Sequence, residues 1–105
     1  MFALVVRFDL KPGREAEFDG LVADTLIGID HDESGTVIYA THLVTSEPSA
    51  RVFYEVYRDR AAFDAHEAAT HTASFLAKRD QYLAHPPRVE FLSEGRGKGV
   101  PNNRD

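Results

Sequence analysis

The sequence RVFYEVYRDRAAFDAHEAATHTASF, at residues 51–75, contains the change from strand to helix on which the predicted fold depends. Its first eight residues alternate between two faces, as expected for a β-strand with side chains on both sides of a sheet. Asp59 then offers the type of side chain that caps a helix N-terminus. Because Glu55 precedes this junction and His66 follows it, a strand face and a helix face that meet here can share one cavity.

The helical part of this segment is predicted to be broken. Phe63, His66 and Thr70 form one coherent helix face, but the large apolar residues that follow are shifted around the axis. Thr70 and Thr72 are each suited to cap a new helical segment, which would run to about Ala84.

Outside this segment, the sequence predicts three more strands and one more helix. The predicted elements are strands at residues 2–10, 36–45, 51–58 and 88–94, and helices from about residue 14 to 29 and from about residue 60 to 84. The strands are recognised by alternation of apolar residues, and the first helix by an apolar stripe with spacings of three and four. A hairpin connection is predicted at residues 46–49.

The predicted order, β-α-β-β-α-β, is the ferredoxin-like plan, an α+β fold in which helices cover one face of an antiparallel sheet. The opposite face of the middle strands also carries apolar residues, among them Ile38, Val52 and Tyr54. One layer of two helices cannot cover both faces. We therefore expect two copies of the sheet to pack together in a homodimer.

The length of 105 residues corresponds to one domain, which we place at residues 1–94. Residues 95–105 contain three glycines, one proline and almost no apolar side chains. We expect them to form a flexible tail, or an arm that becomes ordered on a partner subunit.

Composition and charge exclude several classes of function. The chain has no cysteine, which excludes disulfides, thiolate metal sites and cysteine nucleophiles. Its net charge is −5 with no basic cluster in the folded part, so nucleic acid is not an expected partner. No segment approaches the ~20 apolar residues of a membrane helix, and no signal-peptide pattern follows Met1. We expect a cytoplasmic protein without a membrane partner.

A set of short motifs resembles the antibiotic biosynthesis monooxygenase domain family, of the dimeric α/β-barrel superfamily. The motifs are KPG at residues 11–13, GTVIY at 35–39, FYEVY at 53–57, AFDAH at 62–66 and TH at 70–71. Their order and spacing over residues 2–91 carry the resemblance. It implies a dimer of ferredoxin-like subunits, each with a cavity between its sheet and its helices.

Members of this family include cofactor-free monooxygenases of quinols, anthrones and related polyketides, haem-degrading enzymes, and an isomerase of a phosphorylated signalling sugar. The haem-degrading members carry an Asn, a Trp and an axial His where this chain has Val6, His66 and Leu76, and this chain has no Trp. The resemblance therefore argues against haem. No dinucleotide fingerprint supports a nicotinamide or flavin, so we expect no cofactor.

Glu55 and His66 are the first catalytic candidates. A carboxylate in the middle of a strand, on the helix-covered face, is poorly solvated, and desolvation raises the pKa of a carboxyl group toward neutral pH. His66 faces the same region and can pair with Glu55. The alternatives are an ion pair of Glu55 with Arg58, Arg60 or a helix residue, and a partly buried His66 that bonds a backbone carbonyl.

His71, near the helix break, is the third catalytic candidate, and it can reach the cavity mouth or lie on the surface. A metal shared by His66 and His71 is disfavoured, because residues five apart on one continuous helix point about 140° apart; we predict no metal site. The predicted substrate-binding residues are Tyr39, Phe53, Tyr57, Phe63 and Phe75. For the two tyrosines, core packing is an equally good interpretation.

These residues predict a small cofactor-independent monooxygenase acting on a quinol, phenol or enol. The Glu55/His66 pair would remove a proton, and the resulting carbanion would react directly with O₂. Two alternatives stay open: an isomerase that moves a proton between neighbouring carbons of a small ketone, and a non-catalytic domain that binds a small molecule or serves in assembly. The last is favoured if a fixed arginine neutralises Glu55 and no cavity exists.

Overall fold

The computed structural model of the chain describes residues 1–93 and 95–99. The elements of this part are β1 (Phe2–Asp9), α1 (Glu15–Asp32), β2 (Thr36–Val44), β3 (Glu47–Tyr57), α2 (Arg60–Ala68), α3 (Thr70–Arg79), a short 3-10 helix (Asp80–Tyr82) and β4 (Arg88–Leu92). Glu94 and residues 100–105 lie outside the described residues, and with them the predicted domain boundary and most of the predicted tail. None of the described helices has the length and apolar character to span a membrane.

The strands form one antiparallel sheet in the order β2-β3-β1-β4. In the register of β3 with its two neighbours, Glu55 lies opposite Leu4 of β1 and Tyr39 of β2. The predicted ferredoxin-like fold is therefore confirmed, and Glu55 lies on a central strand of the sheet.

The helices cover the face of the sheet to which Glu55 belongs. On β1, every second side chain is buried there: Leu4, Val6 and Phe8 are at most 5% exposed. Burial of side chains of this size stabilises the fold by about 1.5–3 kcal/mol each. The predicted stripe of α1 also faces the core, and its buried residues are Phe18, Val22, Thr25 and Ile29.

Two element boundaries differ from the sequence predictions. β3 begins at Glu47, so the hairpin turn is Thr45–Ser46 rather than residues 46–49. Pro48 suggested a loop, but a proline near the start of a strand is tolerated because few ladder bonds depend on its missing N–H there. The second helical region ends at Arg79 instead of Ala84, and a 3-10 helix follows it.

The predicted helix break is confirmed, but the residue at the N-cap of the helix that follows it is not one of those predicted. The Asp59 side chain accepts a hydrogen bond of 2.8 Å from the Ala62 N–H and caps α2 as predicted. Ala69 has an extended backbone (φ −68°, ψ 146°) and is the N-cap of α3, with no side-chain cap. The predicted caps Thr70 and Thr72 are wrong, because both lie within α3, and Thr72 is only 2% exposed.

Candidate functional site

A cavity of about 250 Å³ lies on the helix-covered side of the sheet. Its wall contains Glu55, His66 and four of the predicted substrate-binding residues, which are Tyr39, Phe53, Phe63 and Phe75. A more open groove of about 500 Å³ runs beside α1 and β2 and contains neither Glu55 nor His66. The smaller cavity is therefore the candidate site.

Glu55 is buried at the polar end of this cavity, with only 7% of its side chain exposed. The Tyr57 hydroxyl donates a hydrogen bond of 2.5 Å to Glu55 Oε1. Burial raises the pKa of Glu55 above its ordinary value, and the Tyr57 hydrogen bond and the charge of His66 only partly oppose this. Tyr57 itself is fully buried and is not on the cavity wall, so its predicted contact with substrate is not what the structure gives.

No arginine neutralises Glu55 within the described part of the chain. The two arginines proposed as partners point elsewhere: Arg58 lies 3.7 Å from Asp59, and Arg60 lies 3.2 Å from Asp64. Arg58 and Arg60 are therefore not the ion-pair partners of Glu55, and the helix residue that lies beside it is His66. With the cavity also present, neither condition that would favour a non-catalytic domain is met.

His66 is presented by α2 between two carboxylates. Its Nε2 atom lies 3.9 Å from Glu55 Oε1, and its Nδ1 atom lies 2.9 Å from both carboxylate oxygens of Glu33. A carboxylate only accepts, so we assign the proton of a neutral imidazole to Nδ1, which leaves Nε2 as the acceptor that faces Glu55. The partner of the buried imidazole is a carboxylate, not the backbone carbonyl of the alternative interpretation.

Glu33 is a site residue that sequence reasoning missed. It is the C-cap of α1, its side chain is 6% exposed, and it accepts hydrogen bonds from Thr36 Oγ1 at 2.7 Å, from His66 and from His71. Burial opposes its ionisation, but the hydrogen bonds from His71, Thr36 and His66 outweigh burial and lower the pKa of Glu33. One signal was available, because Glu33 follows Ile29 by four positions and so continues the buried stripe of α1.

His71 is neither at the cavity mouth nor on the surface. Its side chain is 14% exposed, its Nε2 atom bonds Glu33 Oε2, and it is absent from the cavity wall. Gly28 of α1 makes room for the ring, since a Cβ atom at that position would lie 2.8 Å from His71 Cβ and still closer to the imidazole. His71 is therefore placed to act on the site through Glu33.

Glu33, His66 and His71 are also the described residues that could hold a metal ion, with ligand atoms within 4.8 Å of one another. The two histidines do not point apart as they would on one continuous helix, because the break at Ala69 turns both toward the carboxylate of Glu33. However, three hydrogen-bond donors already satisfy Glu33, so the cluster is chemically complete without an ion. The absence of a metal stays a prediction.

The sequence profile of the antibiotic biosynthesis monooxygenase family matches residues 1–78. The chain belongs to this family. An uncharacterised protein of Synechocystis sp. is 31% identical over 82 residues, which are 78% of this chain and 55% of that protein. The chain thus spans about half the length of this curated relative.

Solved structures support the same fold for this family member. A crystal structure of an antibiotic biosynthesis monooxygenase superposes with a TM-score of 0.83 at 20% identity, covering 91% of this chain and 100% of the other. The Mycobacterium tuberculosis protein Rv0793 superposes with a TM-score of 0.85 at 22% identity, covering 93% and 98%. At these identities the likeness establishes the fold.

In this monooxygenase-family site, the pKa values of the two glutamates are shifted in opposite directions. Glu55 has a raised pKa and Glu33 a lowered pKa, on opposite sides of one imidazole. Burial, followed by the charge of Glu55, raises the pKa of Tyr39 and of Tyr57, which keeps both phenols protonated. Neighbouring titratable groups whose pKa values are pushed apart are the usual components of acid–base chemistry.

Proposed function

We propose that the protein is a small monooxygenase that needs no cofactor and acts on a quinol, phenol or related enol. The observation that carries the proposal is the approach of two buried titratable groups, Glu55 and His66, on the wall of a cavity lined mostly by apolar and aromatic side chains. Enzymes that remove a weakly acidic proton need a base of this kind, held out of water with a pKa moved toward neutral pH.

The protein would supply deprotonation, and O₂ would supply the oxidising power. The Glu55/His66 pair takes a proton from the substrate, and the resulting carbanion reduces O₂ and forms a C–O bond as a hydroperoxide. At a methylene carbon, loss of water from the hydroperoxide leaves a carbonyl group. One oxygen atom enters the product and the other leaves as water, so no external reductant is required.

The residues around Glu55 and His66 favour deprotonation of the substrate. Glu33 holds the Nδ1 side of His66, which aims Nε2 at Glu55 and the cavity. Phe53, Phe63 and Phe75 give the cavity an apolar wall, which suits an aromatic substrate and dissolved O₂. In such a water-poor site, electrostatic interactions with the carbanion are stronger than in solvent.

The proposal is tested with Glu55→Gln, which keeps the shape of the side chain and removes its ability to take a proton. We expect turnover to fall by about 10²–10⁴-fold, the usual contribution of a general base. O₂ uptake and product formation are measured with anthrone and with reduced menadione. The matched control is Glu90→Gln, an exposed glutamate of β4 that pairs with Arg88 and should leave the rate unchanged. Equal rates for wild type and Glu55→Gln on a substrate that is turned over would remove Glu55 from the mechanism.

A second candidate function is a proton-transferring isomerase of a small ketone. It is favoured by the position of His66 between the carboxylates of Glu33 and Glu55, because a proton could be taken up and returned by the same chain of groups. An oxygen electrode separates the two functions. Turnover of a ketone without O₂ uptake supports the isomerase, whereas equal consumption of substrate and O₂ supports the monooxygenase.

A further inference from the structure

Arg79, the last residue of α3, has a buried group without a hydrogen-bond partner. Its Nε atom is inaccessible to solvent, and among residues 1–93 and 95–99 it is the buried side-chain nitrogen or oxygen left without a hydrogen bond. Asp80 Oδ1 lies 3.4 Å away without forming one, and the Asp80 side chain is 77% exposed. A buried N–H that gives up its hydration without a new partner is costly and requires an explanation.

Two structural roles explain the charge of Arg79 but leave this N–H unpaired. A cation at the C-terminus of a helix interacts favourably with the helix dipole. The guanidinium carbon also lies 5.7 Å from the ring centre of Phe8 and 6.0 Å from that of Phe75, within the range of cation–π attraction. The two ring contacts hold the guanidinium group in place, and the 24% of the side chain that stays exposed is the part that a ligand could reach.

Arg79 borders two open spaces, the candidate cavity and a groove of about 360 Å³ beside Asp80 and Pro86. Arg79 lies on the wall of the same cavity as Glu55 and His66, and it is the one Lys or Arg among the described wall residues. Its charge also acts on the Tyr39 phenol, where it opposes the effects of burial and of Glu55 on the pKa. Among the described residues, the cavity wall thus contains an acid–base pair, apolar side chains and one permanently charged cation.

We propose that Arg79 binds a carboxylate carried by the substrate, in addition to the acidic group that Glu55 and His66 deprotonate. The planar guanidinium matches the geometry of a carboxylate. A phosphate ester carries more charge than one arginine neutralises, so Glu67 on the same wall would repel it more strongly than it repels a singly charged carboxylate. This inference rests on the proposed function in that both place the substrate in this cavity. The substrate class becomes a hydroxylated aromatic or enolic carboxylic acid.

The test compares two probes of nearly equal shape, para-hydroxybenzoate and its neutral analogue para-hydroxybenzamide. Their dissociation constants are measured by titration, following the backbone amide signals of nitrogen-labelled protein by NMR near neutral pH. We expect the wild type to bind the carboxylate at least about tenfold more tightly, the factor typical of a charge-assisted hydrogen bond. Arg79→Gln should lose this preference, and Arg79→Lys should keep part of it.

Arg60→Gln is the matched control. Arg60 also stacks on a phenylalanine, with its guanidinium carbon 5.4 Å from the ring centre of Phe2, and it also pairs with a neighbouring aspartate. It is not on the cavity wall, so this variant should retain the wild-type preference. Should Arg79→Gln fail to fold by circular dichroism, the wild type and Arg79→Lys still provide the comparison.

Equal affinity of the wild type for the two probes would overturn the inference, and so would a preference that survives in Arg79→Gln. The Glu55→Gln variant separates this inference from the proposed function. It should keep the preference for the carboxylate while it loses turnover, so each claim can fail without the other.

Discussion

Glu33 and Glu55 are the same residue type and lie in one site, but the pKa of Glu33 is lowered and that of Glu55 is raised. Glu55 accepts one hydrogen bond, from Tyr57, in an apolar setting, and burial dominates its pKa. Glu33 accepts from a threonine and two imidazoles, and these donors overcome burial. The pKa of one carboxyl group is therefore raised and that of the other is lowered, which gives His66 two unlike neighbours.

This difference predicts opposite pH dependences of stability for two variants. Because the pKa of Glu55 is raised above 4.5, the folded state binds more protons than the unfolded state between pH 4.5 and that folded-state pKa. The stability of the wild type therefore falls as pH rises through this window. At a pH above the window, Glu55→Gln should be more stable than the wild type, and at a pH below the window the two should be similarly stable. The measurement is the free energy of unfolding in urea from about pH 4 to about pH 8. A Glu55→Gln profile parallel to that of the wild type would contradict the raised pKa.

Glu33→Gln should show the reverse. The pKa of Glu33 is lowered below 4.5, so its carboxylate stabilises the fold above pH 4.5, and this contribution is lost as pH falls through the folded-state pKa. The variant should be less stable than the wild type at neutral pH, with a difference that shrinks in acid. A difference that grows in acid would contradict this assignment.

A single site residue could be predicted from the sequence only where its residue type is unusual for its position in a strand or helix. Glu55 stands out because a carboxylate on the buried face of a strand is rare. Glu33 lies in an acidic stretch, DHDE at residues 30–33, where nothing in composition separates it from its exposed neighbours. Arg79 likewise resembles an ordinary basic residue at a helix C-terminus. Their roles depend on what other elements bring near them.

At the element scale, the contact between α1 and α3 sets the position of His71. Because of the break at Ala69, α3 does not continue the axis of α2. Gly28 has no Cβ atom, so the His71 ring can pack closely against α1. The two histidines, five positions apart, therefore reach the same carboxylate. A broken helix presents side chains that a continuous helix would separate.

Gly28→Ala should test this contact. A Cβ atom at residue 28 would lie 2.8 Å from His71 Cβ, whereas one at Gly20, in the same helix, would meet nothing within 4 Å. We expect Gly20→Ala to stabilise the protein by about 0.5–1 kcal/mol through helix propensity. Gly28→Ala should destabilise it by about 1–3 kcal/mol because of overpacking. Urea unfolding measures both variants, and equal stabilisation by the two substitutions would show that His71 does not lie against Gly28.

At the scale of the whole molecule, the second face of the sheet remains to be explained. The helices occupy the face of Glu55, whereas Ile38, Val52 and Tyr54, which alternate with it, are only partly buried in the single chain. An apolar sheet face of this kind is usually covered. The expectation of a homodimer through this face stays a prediction.

Light scattering after size-exclusion chromatography tests that prediction. We expect the wild type to elute with twice the chain mass, and Tyr54→Glu to elute as a monomer, because it would place an unpaired charge in the interface. Ile27→Glu is the control, as Ile27 is 70% exposed on α1, away from this face. A monomeric wild type would contradict the prediction that this protein forms a homodimer through the second face of the sheet.

Local sequence patterns were enough to predict the order of the strands and main helices, the buried faces of β1, β3 and α1, and the shared side of Glu55 and His66. These features follow from local periodicity, since strand alternation and helical spacing are properties of neighbouring residues. Long-range packing, in contrast, brings Glu33 to the imidazole of His66, 33 positions away, brings His71 to the same carboxylate, and places Arg79 on the cavity wall. Contacts of this kind depend on how α1 packs against α2 and α3, and that packing is set by the whole core.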